Sequence, residues 1–256
     1  MKKRIFTLLI AFLAINGLQA QDGGNGQACQ GISTVTDIDG NIYNTVLIGD
    51  QCWMKENLKT TQYRDGTPIE NPTNNADWMS DTNSAYAWYD NDISWKDSYG
   101  ALYNWNAVNN ANGLCPIGWH VPSDAEWTQL VEYVEAQGFP NQWDNPDGAS
   151  NALKSCRQEN SPLGGDCDIT EHPRWDAVDT HHGFDAFGFS GLPGGRYGIG
   201  GFSHIGDYGH WWSATEHRME DNSLNAWNRG MNHVFGTMDR FSSYKTTGLS
   251  VRCVRD

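Results

Sequence analysis

Apolar and polar positions first fall into register between residues 34 and 54. Thr34 to Asp37 and Tyr43 to Ile48 read as two strands, with Asp39-Gly40 as a favoured two-residue hairpin turn between them. Gly49-Asp50 makes a second turn before Cys52-Trp53-Met54, and a meander of this kind needs another layer to be stable. Further on the period changes. Trp127, Leu130, Val131 and Val134 stand at i, i+3, i+4 and i+7, with Ser123 as N-cap, Glu126 completing a capping box, and Gly138 then Pro140 ending the helix. Leu102, Trp105 and Val108 predict a shorter helix within residues 100–109, and a helical turn is expected around Ala149 to Ser155. From Phe187 onward, glycines punctuate short β-type runs at Trp211–Thr215, Asn225–Met231 and Leu249–Val254.

Residues 60–95 are polar, with Pro68, Pro72 and many Asn and Asp. A loop of that length inside a compact domain needs anchors, and Trp78, Trp88 and Trp95 are the candidates. Strands, two main helices, long loops and strands again define an α+β fold that is loop-rich, with short antiparallel strands and an irregular second half.

The N-terminus has its own pattern. Lys2, Lys3 and Arg4 precede an almost unbroken apolar run from Ile5 to Ile15, and Leu18-Gln19-Ala20 ends on a small residue. This is the pattern of a secretory signal peptide over residues 1–20, the apolar run being too short to span a bilayer. Residues 21–28, rich in Gly, are expected to form a flexible leader, and residues 29–256 one domain. The expected address is secreted, cell-surface or periplasmic, without membrane insertion.

Charge narrows the partners. The whole chain carries a formal net charge of −14, and loss of residues 1–20 removes three basic residues and no acidic one. So acidic a surface repels phosphate backbones and counts against nucleic acid. Twelve Trp, ten Tyr and 28 Gly describe tight turns around an aromatic core or an aromatic surface. Six cysteines, all beyond the leader, make an even count suited to an oxidising compartment. Spacing does not choose among fifteen pairings. Cys156 with Cys167 would close a short turn-rich loop, Cys29 and Cys52 flank the first hairpin, and Cys115 with Cys253 would then tie mid-chain to the C-terminus. No Cys-x2-Cys pair points to zinc.

Several long motifs together carry a resemblance. They are Thr36-Asp-Ile-Asp-Gly-Asn-Ile-Tyr43, Gln51-Cys-Trp-Met-Lys-Glu-Asn-Leu58, Cys115-Pro-Ile-Gly-Trp-His-Val-Pro-Ser-Asp-Ala-Glu-Trp127, Gly188-Phe-Ser-Gly-Leu-Pro-Gly-Gly-Arg196, and Trp211-Trp-Ser-Ala-Thr215 with Gly248-Leu-Ser-Val-Arg-Cys-Val254. The chain from Cys29 to Asp256 resembles the Fibrobacter succinogenes major paralogous domain (FISUMP) family. The resemblance implies a C-type lectin-like fold, akin to that of formylglycine-generating enzymes, and an exported or surface protein of a Gram-negative bacterium. It implies no established activity.

The motifs give little support to catalysis, and the chain is expected not to be an enzyme. Cys253 stands alone in its motif, and pairing of all six thiols would leave no nucleophile or copper ligand. No His-Glu-x-x-His or Gly-x-Ser-x-Gly occurs, and His181-His182 with Glu171-His172 upstream is the nearest approach to a cluster. Binding is better supported. In lectin-like folds the irregular second half presents the ligand surface, and here that stretch holds Arg196, Tyr197, Phe202, His204, Tyr208 and His210. Of Trp211 and Trp212, alternating on a strand, at least one is expected in the core. Calcium is a further option through Asp90-Asn-Asp92, Asp144-Asn-Pro-Asp-Gly148 and Glu220-Asp-Asn-Ser223, although none matches an EF-hand. The expected function is binding of glycan or protein at or outside the cell surface, with a structural role in a surface appendage as the alternative.

Overall fold

A computed structural model of the chain describes residues 26–80, 83–218 and 224–256. The signal segment, most of the leader and the Glu220–Ser223 loop lie outside them. The first hairpin pairs β1 (Thr34–Thr36) with β2 (Ile42–Ile48), and β3 (Gln51–Met54) follows across Gly49-Asp50. The first turn is longer than its sequence suggests. Asp37 N–H donates to Asn41 O at 3.0 Å, leaving residues 38–40 as a three-residue loop with Gly40 at φ 82°. The Asp37 carboxylate explains the change: it accepts from Asn41 N at 2.9 Å and from the Tyr43 hydroxyl at 2.6 Å.

The polar stretch is organised by its aromatics. Helix α1 (Asn75–Ser80) and strand β4 (Tyr86–Ala87) lie within it, and Trp78 and Trp88 are buried. Trp95 is only partly buried, edge-on to Tyr89 and tilted against Tyr99. Helix α2 (Lys96–Tyr99) follows. The helix expected over residues 100–109 is divided. Leu102 belongs to strand β5 (Leu102–Tyr103), which pairs with β4, and only α3 (Trp105–Val108) is helical. The Asn104 side chain caps α3 by accepting from Ala107 N, which ends the strand and starts the helix at one residue.

Strand β6 (Trp119–His120) leads into α4 (Asp124–Ala136), where Ser123 and Glu126 form the capping box and Trp127, Leu130, Val131 and Val134 are buried. Helix α5 (Ala149–Leu153) comes next. The second half is more regular than expected. It contains β7 (Gly194–Gly198), β8 (Gly201–Ile205), β9 (Tyr208–His217), β10 (Asn225–Asn232), β11 (Met238–Tyr244), β12 (Leu249–Ser250) and β13 (Val254–Arg255).

Two sheets result. One has the order β1-β2-β3-β13-β6, and the other β11-β10-β9-β12-β5-β4 with β7 and β8 attached at β9. The run expected as one strand at 249–254 is therefore two, one in each sheet, so the Gly248–Val254 motif ties the sheets together. One core lies between them and α4, with Trp53 and Trp127 rings 4.7 Å apart and Phe189, Trp211 and Met231 around them. A second core gathers Tyr43, Met54, Tyr103, Trp105 and Trp212. Trp211 and Trp212 are thus both fully buried, one in each core, because β9 is covered on both faces there. Disulfides join Cys29 to Cys52, Cys115 to Cys253 and Cys156 to Cys167, leaving no free cysteine.

Candidate functional site

Beyond Trp212 the face of β9 that carries it comes out from under its cover. Gly230 of β10 lies opposite His210, Asn228 opposite Trp212, and Phe241 of β11 opposite Asn228. A Cβ on Gly230 would come 2.7 Å from the Phe241 ring and 3.0 Å from His210 Nδ1, so glycine is what lets the two rings meet across β10. The rings stand in a row. Tyr208 and His210 stack with planes 6° apart and centroids 5.2 Å apart, His204 meets Tyr208 edge-on at 5.3 Å, and Phe241 meets His210 at 5.8 Å. Phe241 and Ser242 are exposed.

The β7–β8 hairpin brings Arg196 to this row. Its strands pair at Arg196 and Ser203, and β7 joins β9 in parallel at Gly195 and Gly209. Gly195 sits at φ 68°, and a Cβ there would lie 2.4 Å from Ser203 O, so only glycine fits. Arg196, His204, Tyr208, His210, Phe241, Ser242 and Ser243 together line a shallow pocket of about 280 Å³.

Its charges are sparse and mostly fixed. Arg196 is exposed and has no ion pair among the described residues. The Asp207 carboxylate holds His204 Nδ1 at 2.9 Å and accepts from Asn232 Nδ2 at 3.2 Å. Burial, with repulsion from Arg196 and His204, pushes the His210 imidazole down to about 3, so it is neutral at ordinary pH. Tyr208, His210 and Phe241 thus form an uncharged aromatic floor beside the exposed Arg196 guanidinium.

Of the six residues picked from sequence, four converge here and two do not. Tyr197 is 2% exposed, stacks on Phe202 at 3.9 Å with planes 11° apart, and lies 4.6 Å from Trp78. Phe202 also packs on Tyr89 at 5.4 Å. These two hold the hairpin to the core and do not line this pocket, Tyr197 alternating with Arg196 and pointing inward. Sequence reasoning missed Phe241, Ser242 and Ser243. Met238-Asp-Arg-Phe-Ser-Ser-Tyr244 has no apolar alternation because it is an edge strand, and the lone Phe among hydroxyls and charges was the available signal.

The other sequence candidates are spread out. His172 Nδ1 meets the Tyr99 hydroxyl at 2.5 Å, His181 Nδ1 meets Thr180 Oγ1 at 2.8 Å, and His182 Nδ1 lies 3.3 Å from Gln158 Oε1. Asp92 caps a turn by accepting from Ser94 N, and Asn145, in the other described calcium candidate, accepts from Asp147 N. Among the described residues no group of three or more His, Cys, Asp or Glu side chains could hold a metal ion. His120 sits between Glu126 at 2.8 Å and Asp256 at 2.6 Å, while Ser123 Oγ donates to Glu126 at 2.7 Å. Serine and histidine are bridged by a carboxylate and not paired with each other, so the group ties the C-terminal strand to α4.

Fold and site thus describe a disulfide-braced α+β domain with an aromatic pocket at the outer end of its larger sheet. The chain belongs to the Fibrobacter succinogenes major domain family, whose model matches residues 46–255. No curated protein and no solved structure matches it. No helix among the described residues is long and apolar enough to cross a membrane.

Proposed function

We propose that this chain is an exported carbohydrate-binding module with a C-type lectin-like fold, acting at or outside the surface of a Gram-negative cell. The observation that carries the reading is the row of His204, Tyr208, His210 and Phe241 beside the unpaired Arg196. Sugars present C–H faces that rest on aromatic rings, and hydroxyls that take hydrogen bonds from guanidinium and serine groups. The pocket volume corresponds to roughly nine waters at ~30 Å³ each, room for about one sugar ring. Nothing in this arrangement calls for a metal, so binding is expected to be the same with calcium and with chelator. The three disulfides and the signal pattern of residues 1–20 support export.

The test is a glycan array probed with the oxidised mature protein, repeated with Arg196→Ala and Tyr208→Ala variants. One glycan class retained by the wild type and lost by both variants is the expected result. A blank array, or variants that bind as well as the wild type, would sink the reading. The appendage alternative draws on a different surface. Ile38 and Ile117, 51% and 82% exposed, flank a second pocket of about 230 Å³ next to the Cys115 disulfide. A blank array with self-association that is lost on Ile117→Asp would favour that alternative.

A further inference from the structure

A pocket of about 310 Å³ lies where residues 55–59, α2 and the Gly248–Val254 motif meet, away from the aromatic row. Its lining holds four basic side chains, Lys55, Lys59, Lys96 and Arg252, against two carboxylates, Glu56 and Asp97. In a chain of net charge −14 that local excess is against the trend. Both carboxylates are engaged. Glu56 accepts from Asn44 N at 2.8 Å and from Asn44 Nδ2 at 2.7 Å, and Asp97 pairs with Lys59 at 2.6 Å. Lys55 and Lys96 have no ion pair among the described residues.

Arg252 sets this pocket apart from a solvated patch of lysines. It is 1% exposed, yet it forms part of the pocket wall. Its bonds go to uncharged oxygens, Phe189 O and Asn57 Oδ1, and the guanidinium lies 4.2 Å from the Phe189 ring. Its Nε is buried with no hydrogen-bond partner. The charges of Glu56 and Asp185 act on it from a distance, but Asp185 is itself bound by Ser190 N at 2.7 Å and Ser190 Oγ at 2.6 Å. A guanidinium buried without a paired carboxylate costs several kcal/mol, a cost that an anion held nearby offsets. Two neutral groups of the wall are already engaged: Asn57 Nδ2 donates to Tyr99 O at 2.9 Å, and the Tyr99 hydroxyl meets His172. With Glu56 and Asp97 engaged, the charged groups left for a ligand are cationic.

We propose that this pocket binds an oxyanion, a carboxylate or sulfate, carried on a polar body about the size of one sugar ring. The lysine amines would contact the anion directly, while Arg252 supplies a fixed positive charge behind them at low local dielectric. The volume corresponds to roughly ten waters at ~30 Å³ each, more than a bare ion fills. This site stands independently of the aromatic pocket.

Calorimetric titration of the oxidised mature protein with glucuronate, glucose 6-sulfate and glucose tests it. Both anionic sugars, or one of them, should bind at least about tenfold more tightly than glucose, and more weakly as salt is raised. Lys55→Ala and Lys96→Ala should each weaken that binding by about tenfold, the loss of one charge-assisted hydrogen bond. Arg252 is a core residue whose truncation compromises folding, so the lysine variants carry the test. The titrations are made in the Arg196→Ala background, where the aromatic pocket no longer holds sugar, so that the signal reports the basic pocket alone. Equal binding of glucose, or lysine variants that bind as the wild type does, would overturn the proposal. Binding of only the sulfate or only the carboxylate identifies which oxyanion the site takes.

Discussion

Asn57 and Arg252, 195 residues apart in sequence, are joined by a buried hydrogen bond of 2.9 Å from the guanidinium to Asn57 Oδ1. The same oxygen accepts from Trp211 Nε1 at 2.8 Å, and Asn57 Nδ2 reaches Tyr99 O. One amide therefore fastens the Gln51–Leu58 motif to the Trp-Trp strand, to α2 and to the C-terminal motif. Replacing it with Ala strands a buried indole N–H and part of a buried guanidinium. Asn57→Ala should cost about 2–6 kcal/mol, counting about 1–3 for each donor left unsatisfied. Urea unfolding would show it, and a loss no larger than that of an exposed Asn would contradict the role.

Two of the disulfides should differ in what they contribute. Cys115–Cys253 closes 138 residues and Cys156–Cys167 only 11. Chain entropy assigns about 5 kcal/mol to the first and about 3 kcal/mol to the second. Thermal melts of the paired Cys→Ala variants should thus fall further for the long bridge. The reverse order would mean that the long bridge acts on a denatured chain that is already compact.

Tyr197 and Tyr208 separate packing from recognition. Tyr197 is sandwiched between Phe202 and Trp78, and its truncation should cost about 3–5 kcal/mol. Tyr208 stacks on His210 at the pocket, and its truncation should cost about 1 kcal/mol or less while abolishing glycan binding. Unfolding curves and array signals measured on the same two variants decide it. A Tyr208→Ala variant as unstable as Tyr197→Ala would place Tyr208 in the packing.

Local rules carried the reading wherever the governing contacts were local. Ser123 and Glu126 sit within one turn, so the start of α4 was legible, as was its buried stripe from Trp127 to Val134. Asp39-Gly40 reads as a two-residue turn, but the loop geometry is set by the Asp37 carboxylate acting on Asn41 and Tyr43, a side-chain effect that dipeptide preferences do not contain. A period of three puts Leu102 in a helix, whereas its partner in β12, Ser250, lies far along the chain. The same limit governed the site. Arg196, His204, Tyr208 and His210 fall in one short segment and are legible together. Phe241 joins them only through the pairing of β10 with β11, and the basic pocket draws on residues as far apart as Lys55 and Arg252.

His210 makes the stability of the sheet depend on acid in a predictable direction. Its folded pKa is depressed to about 3, first by burial and then by Arg196 and His204, against about 6.5 for a free imidazole. A depressed histidine is neutral in the fold while the unfolded chain takes up a proton. Its cost is therefore absent above pH 6.5, grows as pH falls from about 6.5 towards 3, and is constant below. Carboxylates titrate in the lower part of the same window, among them Glu126, whose pKa is lowered on balance by its bonds to Ser123 and His120 although burial opposes them. The wild-type curve alone is thus not diagnostic. The difference between His210→Gln and wild type isolates the group, because the variant keeps every carboxylate. Denaturant unfolding at a series of pH values should show the variant gaining on the wild type steadily from neutral pH to about pH 3–4. A stability difference that stays flat over that range would mean that His210 takes up a proton as readily in the fold as outside it, and that the pocket floor is charged in mild acid.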